Sequence, residues 1–73
     1  MVTIKINSKD YQFDERKQLV TALITKAGFD PAQYDLFVVK QNGRSDPVHA
    51  EHVELHDGEE FRVLPKDLNF GSY

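Results

Sequence analysis

Only one stretch of this chain repeats its apolar residues at helical spacing. Val20, Leu23, Ile24 and Ala27 recur at i, i+3, i+4 and i+7, which puts them on one face of a helix. A lone helix with one apolar face must bury it against something else. The remaining apolar residues sit in short, alternating runs, so the partner must be a sheet.

Val2, Ile4 and Ile6 alternate with Thr3 and Lys5, the period-2 pattern of a half-buried strand. Asn7-Ser8-Lys9-Asp10 carries turn chemistry, since Asn and Asp tolerate left-handed backbone angles. Tyr11 and Phe13 then alternate with Gln12 and Asp14, and the two runs read as an antiparallel hairpin. For the helix, Asp14 is the expected N-cap and Glu15 suits the positive end of the helix dipole. Lys26 falls in its last turn, Gly28 is a ready C-terminal cap, and Pro31 forbids a simple continuation.

Tyr34 to Lys40 is rich in β-branched and aromatic residues and predicts a strand. Asn42-Gly43 is a strong turn signal. Asp46-Pro47 opens an expected irregular stretch, His52 to Leu55 a short edge strand, and Asp57-Gly58 another turn. In the final run Phe61 and Val63 point inward, and Pro65 ends the ladder by removing a donor. The expected fold class is α+β: a mixed sheet of four to five strands packed on one helix, with the first and last strands adjacent. That arrangement is the β-grasp. A ferredoxin-like fold would need a second helix.

Composition narrows the function classes. The 73 residues suffice for one domain, expected over 1–65 with a flexible tail over 66–73. Such a domain buries only about 60% of the surface its unfolded chain exposes. No cysteine is present, so cysteine nucleophiles, disulfides and thiolate metal sites are excluded from the chain itself. The absence of staples in so small a domain, with no long apolar run in Met1–Ile6, favours the cytoplasm over secretion. A net charge of −3, spread along the chain, argues against nucleic acid as a partner. No apolar stretch approaches the ~20 residues of a membrane span, so no membrane association is expected.

No catalytic constellation is legible. Ser8, Ser45 and Ser72 lack an elbow motif, and the four glycines are isolated rather than gathered in a phosphate-binding loop. His49, His52 and His56 would share a face on a helix, but Pro47 and Asp57-Gly58 argue against one. They read as solvated surface residues rather than metal ligands. The chain is therefore expected not to be an enzyme and to need no cofactor or metal.

The order of elements and several local signatures resemble ubiquitin and its bacterial relatives, above all ubiquitin-like domains of the multiubiquitin type. The likeness rests on Ile4-Lys5-Ile6-Asn7, Tyr11-Gln12-Phe13-Asp14, Ala27-Gly28, Tyr34-Asp35-Leu36 and Asp57-Gly58-Glu59-Glu60-Phe61. It implies a protein modifier, one that is activated and conjugated by a ubiquitin-activating-like enzyme and a conjugating-like enzyme. A deubiquitinase-like metalloprotease processes such modifiers, target proteins receive them, and the systems are associated with defence against phage. The conjugation site implied is Gly71, exposed after removal of Ser72 and Tyr73. Glycine suits such a terminus because a residue without Cβ passes narrow enzyme channels. Phe70 departs from ubiquitin, which has a second glycine there. Either the cognate enzymes carry a pocket for Phe70, or Gly71 is not the conjugated residue.

Ubiquitin-like domains often recruit partners through an exposed apolar patch on the sheet. Alternation places Leu36 and Val38 inward and Phe37 and Val39 outward, with Leu64 outward on the last strand. Phe37, Val39 and Leu64 are the candidate partner-binding surface, against the alternative that the tail or a loop covers them. Two other classes stay open: a non-conjugated β-grasp interaction module, and a sulfur carrier. Residues after Gly71 count against the carrier, which normally ends at diglycine.

Overall fold

The structure, a computed structural model, describes residues 1–66. The chain opens with a hairpin of β1 (Val2–Ile6) and β2 (Lys9–Phe13), in register from Ile6 opposite Lys9 to Val2 opposite Phe13. Its turn is Asn7-Ser8 alone, with φ of 52° and 71°. Two successive positive φ values define a two-residue hairpin turn whose twist matches that of the strands. Lys9 and Asp10, expected in the turn, already belong to β2.

The approach to the helix differs from the sequence expectation. Lys17–Leu19 form a short strand, β3, antiparallel to β6 (His52–Glu54). Helix α1 then runs Val20–Lys26, with Leu19 as N-cap, no side-chain cap hydrogen bond and no acidic residue in the first turn. Asp14 and Glu15 are thus neither cap nor dipole partner. A capping carboxylate must reach an N–H within the first turn, and β3 separates Asp14 from it. The loop before β6 substitutes, with the Glu51 carbonyl accepting the Val20 N–H at 2.9 Å.

The helix C-terminus follows the sequence. Ala27 is the C-cap, and Gly28 follows at φ 93°. The Gly28 N–H donates to the Thr25 carbonyl and the Phe29 N–H to the Ile24 carbonyl. That bond pair is a Schellman motif, and it needs a residue free of Cβ strain after the C-cap. Phe29 then packs against Tyr34, where the next strand begins, with ring centroids 4.7 Å apart and the rings tilted by 44°.

Strand β4 (Tyr34–Val39) pairs antiparallel with β5 (Ser45–Pro47) and with β7 (Glu60–Pro65). The β4–β5 loop is closed by Lys40 and Arg44, with Gly43 at φ 86°. The stretch around Asp46-Pro47 is therefore an edge strand, not irregular chain. The Val48 N–H donates to the Leu36 carbonyl and the Lys40 N–H to that of Arg44, so the alternation turns the Pro47 nitrogen away from β4. A proline costs no ladder bond there. Likewise β6 pairs with β3 rather than with the main sheet.

The five-stranded sheet has the order β2-β1-β7-β4-β5, and β1 runs parallel to β7 at its centre. This mixed sheet with one helix packed on it is a β-grasp-like α+β fold. Val2, Ile4, Ile6, Leu36, Phe61 and Val63 from its inner face meet Leu23 and Ile24 of α1, all at most 3% exposed. Leu55, just past β6, closes the core's side, and its N–H donates to the Arg16 carbonyl at 2.7 Å.

Where β1 ends, a side chain continues its ladder. The Asn7 N–H donates to the Phe61 carbonyl at 3.0 Å. The Asn7 Oδ1 then accepts the Val63 N–H at 3.0 Å, and Nδ2 reaches the Val63 carbonyl at 3.4 Å. The amide stands in for the next peptide of β1. At the other end of the strand, the Thr3 N–H donates to Asp57 Oδ1 and the Gly58 N–H to the Thr3 carbonyl, both at 2.9 Å.

Candidate interaction face and chain exit

The pairing registers decide what the outer face of the sheet displays. Directly opposed residues share a face. Leu36 and Val63 are opposed and buried, so Phe37, Val39 and Leu64 lie on the face away from α1. Phe37 is opposite Arg62 on β7 and opposite Pro47 on β5. Val39, two residues along the same strand, faces Ser45. Leu64, 39% exposed, lies opposite Asp35 and so diagonal to Phe37, at about 7–8 Å by sheet geometry.

Phe37, Val39 and Pro47 thus form a short apolar strip. Leu64 joins it at a corner, and Arg62 flanks it on the β7 side. Pro47 was not legible as a member because its segment reads as loop. Only its pairing with β4 brings it beside Phe37.

Leu64 is also the link between this face and the chain's exit. Past Pro65, the Lys66 N–H donates to the Gln33 carbonyl at 2.9 Å, and its Nζ meets Asp35 Oδ1 at 2.7 Å. Strand pairing therefore holds the backbone through Lys66, one residue beyond β7. A partly exposed ion pair of this kind contributes at most about 1 kcal/mol. The sequence-derived conjugation site, Phe70-Gly71 followed by Ser72 and Tyr73, lies outside the described residues.

A groove of about 550 Å³ between the end of β4 and the Asp57-Gly58 turn is rich in carboxylates. Two of them are committed: Asp57 accepts the Thr3 N–H, and Glu59 accepts that of His56. His49, His52 and His56 are exposed, and only His52 lies in a strand. Among the described residues no group of three potential ligands is assembled for a metal ion, and no polar or charged residue is buried. No described helix is long and apolar enough to cross a membrane.

The class defined by these features is a β-grasp-like α+β domain with an apolar strip on the outer face of its sheet, beside the exit of its last strand. No protein-family model matches the chain, and no curated protein or solved structure is significantly similar to it.

Proposed function

We propose that this domain is a ubiquitin-like protein modifier of the cytoplasm, joined to target proteins through Gly71. The observation that carries the reading is the position of β7. It is the central strand, and Leu64 near its end belongs to the outer face. An enzyme seated on Phe37 and Leu64 is therefore next to the point where the chain leaves the sheet. Residues 67–71 can span at most ~18 Å when extended, which sets how far a catalytic centre can lie from Lys66.

In this reading a metalloprotease-like partner first hydrolyses the Gly71–Ser72 bond, adding water and releasing the Ser72-Tyr73 dipeptide. The activating-like enzyme joins the Gly71 carboxylate to AMP from ATP and releases pyrophosphate. An enzyme thiolate displaces AMP to give a thioester, which passes to the conjugating-like enzyme. A target amine finally displaces that thiolate. The domain supplies the carboxylate and the recognition face, and its partners supply the catalysis. Phe70 requires those partners to hold a phenyl-sized pocket beside the reacting carbonyl. Defence against phage is the biological setting this reading brings with it.

The apolar strip of Phe37, Val39 and Pro47 also supports a second reading, a module that binds partners without conjugation. Intact mass separates the two after incubation with ATP and the three partner enzymes. The modifier reading expects loss of Ser72-Tyr73, then a thioester or amide at Gly71. An uncut tail, together with a Gly71→Ala variant of unchanged function, refutes it.

A further inference from the structure

Three turns among the described residues place a small residue directly after an Asn or Asp, the arrangement in which a backbone nitrogen can attack the side chain before it. They are Asn7-Ser8, Asn42-Gly43 and Asp57-Gly58. Their hydrogen bonds sort them. Asn7 Oδ1 accepts the Val63 N–H at 3.0 Å, so its amide belongs to the ladder of β7. Asp57 Oδ1 accepts the Thr3 N–H, and the Gly58 N–H donates to the Thr3 carbonyl, both at 2.9 Å. Those two turns are tied to β7 and β1, at the centre of the sheet.

The bonds of Asn42-Gly43 stay within its own loop. The Gly43 N–H donates to the Lys40 carbonyl at 2.9 Å, the Arg44 N–H to Asn42 Oδ1 at 3.0 Å, and the Lys40 N–H to the Arg44 carbonyl at 2.7 Å. Together they close a short hairpin loop that ends in a bulge at Gly43, where φ is 86°. Gln41, Asn42, Gly43 and Arg44 are all exposed, and a Cβ added at Gly43 would meet nothing within 4 Å. The strand that follows, β5, has three residues, lies at the edge of the sheet and pairs with β4 alone among the described strands. Opening so short an edge costs far less than opening the centre of the sheet. An open groove around Asn42 is lined by Lys40, Gln41, Arg44 and Asp46, with Arg44 and Asp46 paired at 3.3 Å.

We infer that Asn42 is a self-modifying site, at which the chain deamidates and lengthens its own β4–β5 loop. Once the Gly43 N–H leaves the Lys40 carbonyl, the Gly43 nitrogen gives up its proton and attacks Asn42 Cγ. The Cγ–Nδ2 bond breaks, Nδ2 leaves as ammonia with that proton, and a succinimide ring remains. The Arg44 N–H, already bonded to Oδ1, donates to the oxygen that takes up negative charge during the attack. Lys40 and Arg44 favour the deprotonated nitrogen, and Asp46 is the opposing charge. Water then opens the ring. Cleavage between Cγ and the Gly43 nitrogen gives aspartate. Cleavage at the main-chain carbonyl gives isoaspartate, whose backbone runs through Cβ and Cγ. Isoaspartate adds a backbone carbon to a loop without slack, so the bulge no longer closes and β5 leaves β4. Pro47 is then lost from beside Phe37, and the apolar strip loses its β5 side. The switch does not depend on Gly71 or on conjugation.

The test is ageing of the full chain at mildly alkaline pH, followed by peptide mapping and by labelling with a protein isoaspartyl methyltransferase. Acid should replace the amide at Asn42, mostly as isoaspartate, at least about tenfold faster than any change at Asn7 or Asp57. Asn42→Gln, which would need a larger ring, should stay intact. In the isolated isoaspartate form, hydrogen exchange should quicken about tenfold or more at the Lys40 and Val48 amides, which bond across β4 and β5. Asn42→Asp carries the same charge on a normal backbone and should leave Val48 exchange unchanged. No conversion at Asn42, while a peptide of residues 38–47 converts under the same conditions, would overturn the inference. So would equal conversion at Asn7 or Asp57, or isoaspartate with unchanged exchange at Val48.

Discussion

Replacing Asn7 with glycine isolates the work of one side chain at the junction of β1 and β7. Glycine accepts the φ of 52° without strain, so the hairpin turn stays intact. What disappears is the amide that pairs with Val63. The 3.0 Å bond from the Val63 N–H is of ordinary length, whereas the 3.4 Å contact to its carbonyl is long and contributes less. With net values of about 0.5–1.5 kcal/mol for a full hydrogen bond, the loss should be about 1–2 kcal/mol once glycine's extra unfolded entropy is included. For a domain of this size that corresponds to a fall in Tm of roughly 4–16 °C. Asn7→Ala should lose a further 0.5–1 kcal/mol or so, the left-handed strain of a Cβ offset by alanine's smaller backbone entropy. Urea unfolding followed by far-ultraviolet circular dichroism gives both values, and hydrogen exchange should quicken at the Val63 amide. If Asn7→Gly matches the wild type in stability and in Val63 exchange, the amide does not extend the ladder and the reasoning fails.

Three further substitutions probe other parts of the account. Gly28→Ala meets no atom within 4 Å of the added Cβ, so its cost should come from φ alone, about 1–2 kcal/mol in the same unfolding assay. Phe61→Ala empties the centre of the core and should cost about 3–5 kcal/mol, enough to leave much of so small a domain unfolded at 25 °C by circular dichroism. Leu64→Lys, on the outer face, should change stability by less than about 0.5 kcal/mol while reducing any transfer that depends on a partner seated beside the exit. A native spectrum with undiminished transfer would remove Leu64 from the face.

The main elements were legible because each carries a local signal that tertiary packing reinforces. Val2, Ile4 and Ile6 alternate, the helix shows its apolar face, and Gly28 closes it. The adjacency of β1 and β7 followed from needing one sheet to cover one helix. What stayed hidden was set by pairing between distant segments. Lys17-Gln18-Leu19 has no strand pattern of its own and is extended because His52–Glu54 lies beside it. With β3 unseen, Asp14 looked close enough to cap the helix. Pro47 read as a breaker, since only the pairing phase reveals that its nitrogen faces outward. The outward direction of Phe37, Val39 and Leu64 was readable from alternation, but their neighbours Pro47 and Arg62 were not, because register is a property of two strands.

The central claim, that Gly71 is an acyl donor to other proteins, leaves a chemical trace. Trypsin cuts after Lys66, so a target lysine modified by this domain would carry the branch Asp67-Leu68-Asn69-Phe70-Gly71. Mass spectrometry of tryptic peptides from cells producing the domain with its cognate enzymes should find that branch joined through the Gly71 carbonyl, and Gly71→Ala should abolish it. Recovery of only the unbranched peptide ending in Ser72-Tyr73, under conditions where the partner enzymes are active, would contradict the account.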